Sequence, residues 1–221
     1  MDPLRISISL RGPMVEPLQA FHLDALLGSL RVQMEEDARG AIDPKTVHHD
    51  IPVDRYTSPS GAWVFKASAF KLTKLSPTFL WMQTGRANLI QAAEDRASGL
   101  LSLRSAKPVT AGGPFKSSVS QVDMVWAELT AYAIGNQLEI EKLLAQCAQV
   151  GARRSTGFGN VSSIEVEVVD QSLCHWDWRA LPEDYNEHLT HSDSLVLAQG
   201  NLRAPYWDKR SYERVFVPSS L

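Results

Sequence analysis

Nine consecutive residues, Gly151-Ala152-Arg153-Arg154-Ser155-Thr156-Gly157-Phe158-Gly159, combine the donor types that hold a phosphate. Three glycines in this run allow backbone angles and close approaches that a Cβ would block. Exposed amides in such a turn make an anion nest, Arg153 and Arg154 offer bidentate guanidinium forks, and Ser155 and Thr156 add hydroxyl donors. Dinucleotide-binding and P-loop motifs follow a strand and open a helix, whereas this loop follows a helix and opens a strand, without the Gly-Lys-Ser/Thr ending. The plain alternative is a tight helix-to-strand turn whose arginines are incidental.

Other chemistry-bearing residues form weaker patterns. His48-His49-Asp50 and His188-x-x-His191-x-Asp193 contain metal-ligand types, but neither completes a site. Cys147 and Cys174 are the only cysteines and form no C-x-x-C pair, so neither a disulfide framework nor a cysteine zinc centre is expected. There is no H-E-x-x-H and no G-x-S-x-G motif. The sequence therefore predicts no metal and no cofactor.

The elements that would position the glycine loop are read from periodicity. In Arg5–Leu10, Ile6, Ile8 and Leu10 alternate with Arg5, Ser7 and Ser9, the pattern of a half-buried strand that ends at Gly12-Pro13. From Phe21, Leu23, Leu26, Leu27 and Leu30 recur at helical spacing. Residues 38–60 read as a long connection, with a short strand around 47–53. Trp63–Leu72 and Pro77–Gln83 suggest a hairpin, and 111–114 a turn. Val119–Glu128 follows as a strand with Val122, Met124 and Trp126 on one face. Asn136 with Glu139 resembles a capping box, and Ile140, Leu143, Leu144, Cys147 and Ala148 continue a helix to Gly151. Val161–Val169 closes the series, with Ile164, Val166 and Val168 inward. The order predicts an α+β, ferredoxin-like (RRM-like) core over residues 1–170 and a C-terminal extension over 171–221 that packs back on it. The aromatic stretch His175–Tyr185 reads as packing of that extension or a protein interface.

Hydrophobic residues make up 44% of the 221-residue chain and charged ones 21%, the balance of a globular protein. No segment has the apolar length of a membrane span, and the first ten residues lack a signal-peptide core, so a soluble, cytoplasmic, membrane-free protein is expected. The formal net charge is −3, yet Lys66, Lys71, Lys74, Arg86, Arg96, Arg104, Lys107 and Lys116 face only Glu94 and Asp95 between Gly61 and Lys116, a local +6. Chance clustering on a solvated surface is the bland reading of that segregation; a polyanion contact is the functional one.

The run Gly-x-Arg-Arg-Ser-x-Gly-Phe-Gly-x-Val after the second helix resembles the signature loop of the RAMP superfamily of CRISPR proteins. Within it, Phe21-His22-Leu23-Asp24-Ala25-Leu26-Leu27 and Leu202-Arg203-Ala204-Pro205-Tyr206-Trp207 are similar to the type IV member of the Cas-five family. The resemblance spans most of the chain. It implies a non-catalytic subunit that grips the 5′ handle of CRISPR RNA and caps a filament of backbone RAMP subunits beside the large subunit; target DNA next to the protospacer motif is a further contact it leaves open. It also implies a protruding β-hairpin thumb inserted in the core, and the basic region of about 66–116 lies where that insertion would be. Implied RNA contacts are Arg153, Arg154, Ser155, Thr156, Gly157, Phe158 and Gly159, with His22, Lys71, Lys74, Arg86, Arg104, Lys107, Lys116, Arg203, Tyr206 and Trp207. Phe158 and Trp207 are the base-stacking candidates among them.

Two alternatives stand beside that reading. Some relatives cleave CRISPR repeat RNA without metal, and His22 would be the catalytic residue here, although a single histidine without an identified partner more simply packs or caps the first helix. The other alternative is a protein-only assembly scaffold.

Overall fold

Leu4, Ile6 and Ile8 are buried and alternate with Arg5 and Ser7, so Asp2–Leu10 forms the expected strand, β1. The computed structural model describes every residue except 41–42, 44–46, 86–87, 103–117, 192–193 and 207. Arg86, Arg104, Lys107, Lys116 and Trp207 therefore lie outside the described residues, as do the turn expected at 111–114 and the metal-ligand candidate Asp193.

After the short strand β2 (Met14–Val15), helix α1 spans Leu23–Arg39 and buries the Leu23, Leu26, Leu27 and Leu30 stripe. No side chain caps its start; the Leu23 amide donates to Ser68 O at 3.1 Å instead. Val53 makes only an isolated bridge, to Gly135, so the strand expected around 47–53 reduces to one residue. Strands β3 (Arg55–Thr57) and β4 (Trp63–Phe65) pair antiparallel, and β5 covers Lys71–Lys74. The single strand expected over 63–72 is thus two. Between them the backbone changes partner, Ala67 bridging Ala133 and Ala69 bridging His22.

Strand β6 (Phe79–Gly85), helix α2 (Leu89–Ala97) and strand β7 (Ser118–Val125) precede β8 (Ala127–Gly135). The strand expected over 119–128 breaks at Trp126, which is 41% exposed while Met124 is buried. The turn after β5 captures the Trp126 backbone: Leu75 N donates to Trp126 O, and Trp126 N donates to the Ser76 hydroxyl. β8 itself runs far past Glu128; its inward row of Ala127, Leu129, Ala131 and Ala133 is alanine-rich and gives little strand signal in sequence.

Helix α3 (Gln137–Leu144) starts at Asn136, whose Oδ1 accepts from Glu139 N at 3.3 Å; the return half of the expected capping box is replaced by a bond from Asn136 N to Pro52 O. It ends well before Gly151: Cys147 N bonds back to Leu144 O in a tight turn, Ala148 faces solvent, and Val150 N is committed to Gly159 O. β9 (Val161–Val168) sends Ile164 and Val166 toward the core. Val168, expected inward, is 57% exposed at the end of this edge strand.

These pieces make an α+β fold. Strands β5, β8, β1 and β9 form one sheet in that order, every neighbouring pair antiparallel. Its inward rows meet Leu23, Leu27 and Leu30 of α1 and Ile140, Leu143 and Leu144 of α3 in one apolar core. Beyond β9, a second sheet is ordered β10 (Leu181–Pro182), β12 (Glu213–Pro218), β11 (Leu195–Gly200). Trp176, Leu181, Leu202 and Val215 there bury themselves against Tyr56, Val64 and Ile134.

The chain divides into two compact units, Met1–Pro77 with Val125–Leu221, and Thr78–Met124. In the second, β6 pairs with β7 in antiparallel register, and Asn88 caps α2 by accepting from Ile90 N and Gln91 N. Leu80, Trp81 and Met82 of β6 are exposed. Lys66, Lys71 and Lys74 stand in the first unit. Among the described residues, no helix is long and apolar enough to cross a membrane.

Candidate nucleic-acid interface

The loop between α3 and β9 is built by its own hydrogen bonds. Arg153 adopts the left-handed conformation at φ 56°, and residues 154–156 make one 3₁₀ turn ending at Gly157, φ 87°. Thr156 N and Gly157 N donate to Arg153 O and Arg154 O, and Gly159 N donates to Pro13 O. Gln149 Nε2 reaches both Arg154 O and Asn160 Oδ1 at 3.0 Å, while Asn160 Nδ2 donates to Gly157 O at 2.5 Å. A Cβ on Gly159 would stand 1.9 Å from Val150 O, so glycine is required there on steric grounds as well as by φ 65°.

This geometry corrects part of the anion-nest expectation. The amides of Thr156, Gly157 and Gly159 point at the chain's own carbonyls, and the Thr156 hydroxyl donates to Arg153 O at 2.7 Å. What the loop offers outward is side-chain chemistry. Arg154 and Ser155 are exposed, Arg153 and Phe158 partly so, and Arg154 has no carboxylate partner among the described residues.

The remaining candidates scatter. The main-sheet face away from the helices carries Arg5, Tyr132 and Glu167 in one row and Lys71, Thr130, Ser7 and Glu165 in the next. Arg5 is ion-paired to Glu167, so this face has little free positive charge for a polyanion. Lys71 borders a groove of about 850 Å³ with Phe21, Phe70, Tyr132, His175 and Trp178. Lys74 instead pairs with Glu16 at 2.5 Å. Arg203 lies 4.4 Å over the Trp63 ring and donates to Trp63 O at 2.7 Å.

His22 is buried, and Tyr206, partly buried, is tied to the buried pair Asp24 and Arg179. The imidazole is 5% exposed and stacks on Tyr206 with centroids 3.9 Å apart. Tyr206 donates to Asp24 Oδ2 at 2.7 Å and accepts from Arg179 Nη2 at 2.6 Å. Arg179, fully buried, also donates to Phe65 O, Ala67 O and Leu202 O. Burial pushes the His22 imidazole down to about 3, with Asp24 opposing and Arg179 reinforcing the shift. Burial likewise raises the Tyr206 hydroxyl well above its ordinary value. Burial thus favours the neutral imidazole and places His22 away from the surface on which the RNA contact is expected, while the Tyr206 hydroxyl is occupied by Asp24 and Arg179.

The family model described as CRISPR type IV associated protein Csf3 matches residues 2–218. The chain belongs to the Csf3 family. A search of curated proteins finds no match.

In this Csf3-family chain His48, His49 and His191 are likewise tied into packing, whereas His188 is exposed. His48 lies against Gly28 of α1, where a Cβ would come within 2.6 Å of its ring; His49 contacts Ala204 O at 3.2 Å; and Asp50 pairs with Arg31 at 3.0 Å. Asp177, fully buried, accepts from Thr190 N and its hydroxyl, with His191 at 4.0 Å. No metal-holding group of three or more His, Cys, Asp or Glu occurs among the described residues. Sequence reading missed Asp24 and Arg179 because their partners lie far along the chain, and it missed Arg55 and Trp63, which sit beside Arg203 only through the pairing of β3 with β4. No local signal marks either pair; the Trp-Asp-Trp-Arg run at 176–179 is the nearest hint.

Proposed function

We propose that the chain is the RNA-gripping, non-catalytic subunit of a type IV CRISPR effector complex, built on a ferredoxin-like RAMP core. It holds the 5′ handle of CRISPR RNA and caps the backbone filament beside the large subunit. The observation that carries this reading is the internally hydrogen-bonded loop before β9, which leaves Arg154 and Ser155 exposed in a Csf3-family chain. Supporting it, β1, α1, β5, β8, α3 and β9 follow the order strand, helix, two strands, helix, strand, an arrangement that RNA-recognition domains share. The Thr78–Met124 unit enters the chain between β5 and β8, where a thumb is expected. Since fold alone does not fix activity, the loop must carry the claim.

The test replaces Arg153 and Arg154 together by Ala and measures CRISPR RNA binding across a salt series. Each phosphate contact on a single strand contributes about 0.7 to the slope of log affinity against log salt, so the double variant binds more weakly with a flatter slope. Equal affinity and slope would remove the loop from the RNA path.

A further inference from the structure

Trp63 of β4 collects two guanidinium groups. The Arg55 and Arg203 Cζ atoms each lie 4.4 Å from the centroid of its ring. Phe65 and His49 meet the same indole edge-on, at 5.2 and 5.9 Å. Stacking on an electron-rich ring offsets part of the cost of holding like charges together. Nothing of opposite charge completes it: among the described residues, neither Arg55 nor Arg203 has a carboxylate partner. The nearby acids are engaged elsewhere, Asp54 with Lys66 and Asp50 with Arg31.

The two arginines differ in what remains free. Arg203 is partly buried and donates to the Trp63 backbone carbonyl, which anchors its guanidinium beside the indole. Arg55 is exposed and uses one donor, Nη2 to His49 O at 3.2 Å. A guanidinium carries five N–H donors in a planar fork, so Arg55 holds an oriented, largely unused fork above an aromatic base. That fork matches a phosphate taken in bidentate fashion, and the ring system around it matches single-stranded nucleic acid, which combines phosphate contacts with planar stacking partners.

We propose that Arg55, braced on Trp63 beside Arg203, is a second phosphate contact for single-stranded RNA, separate from the 151–159 loop. This rests on the reading that the chain's ligand is CRISPR RNA. Arg203 acts there through the indole and its charge, and Arg55 makes the contact.

The experiment measures binding of fluorescently labelled CRISPR repeat RNA over a salt series for four proteins: wild type, Arg55→Gln, Arg55→Lys, and the Arg153→Ala, Arg154→Ala double variant. Arg55→Gln is expected to lose about tenfold in affinity at low salt and about 0.7 in slope, and Arg55→Lys to recover the slope but not the full affinity. Wild-type affinity and slope in Arg55→Gln, with the wild type binding RNA, overturns the site and leaves the cluster to an acidic protein partner. No RNA binding by the wild type overturns the RNA reading and this site with it. Photocrosslinking 4-thiouridine RNA to the wild type gives a readout independent of any variant's folding. Crosslinked peptides containing Arg55 or Trp63 support the site, and crosslinks confined to the 151–159 loop overturn it.

Discussion

Asp24 and Arg179 are 155 positions apart in the chain, yet they meet at 3.4 Å with side-chain exposures of 2% and 0%. The first stands in the opening turn of α1 and the second in the C-terminal extension. Their contact, completed by Tyr206 and by the carbonyls of Phe65, Ala67 and Leu202, joins the extension to the core through charge as well as apolar packing. A buried guanidinium is tolerated only with its donors satisfied and a counter-charge at hand, and the network supplies both.

Breaking that pair from one side should be costly. Asp24→Ala leaves Arg179 charged and buried, and a loss of about 3–5 kcal/mol in urea unfolding is expected. Asp24→Leu combined with Arg179→Met should lose much less than the sum of the two single changes. Strict additivity would mean that the two groups do not act on each other.

Acid should unfold the protein earlier because of His22. Its folded value near 3 lies below the ordinary 6.5, so the unfolded state binds the proton first. Stability is therefore fully present above pH 6.5 and declines as pH falls from 6.5 toward 3, by about 1.4 kcal/mol per pH unit for this one group. Burial of His48 lowers its imidazole as well and adds in the same direction. His22→Asn should flatten the decline when ΔG is measured at pH 7, 5.5 and 4.5; an unchanged pH profile would place the imidazole in contact with solvent.

Gly159→Ala should damage the loop and the fold together. The added methyl collides with Val150 O at a positive φ, and the bond from Val150 N to Gly159 O must open. A drop in melting temperature of several degrees with weakened RNA binding is expected. Gly157→Ala has nothing within 4 Å of its new Cβ but shares the left-handed strain, so its loss should be smaller. Equal losses would show that sterics at Val150 do not decide.

The purified chain should leave CRISPR repeat RNA intact without metal, and His22→Ala should change only stability. Site-specific cleavage that disappears in His22→Ala would reverse the non-catalytic assignment.

The sequence by itself determined the elements whose periodicity is local. The alternation in β1, the leucine stripe of α1, the Asn136 cap and the Ile164–Val166 face needed only chain neighbours to be recognised. It also marked the glycine loop, because glycine at a left-handed position is a backbone requirement written into residue type. Tertiary structure decided what depends on distant partners. The break at Trp126 and the division of 63–72 come from backbone groups claimed by other segments, and β8 is a strand because β1 and β5 flank it, whatever its alanines prefer. His22 and Tyr206 carry the residue types of an RNA site, yet the Tyr206 hydroxyl is bonded to Asp24 and Arg179 and His22 stacks on its ring, while Trp63 gathers Arg55 and Arg203 at a place no motif indicates. Spacing along the chain shows which face a residue occupies; only the folded chain sets what stands opposite, and desolvation and pairing there decide whether a charge serves the core or a ligand.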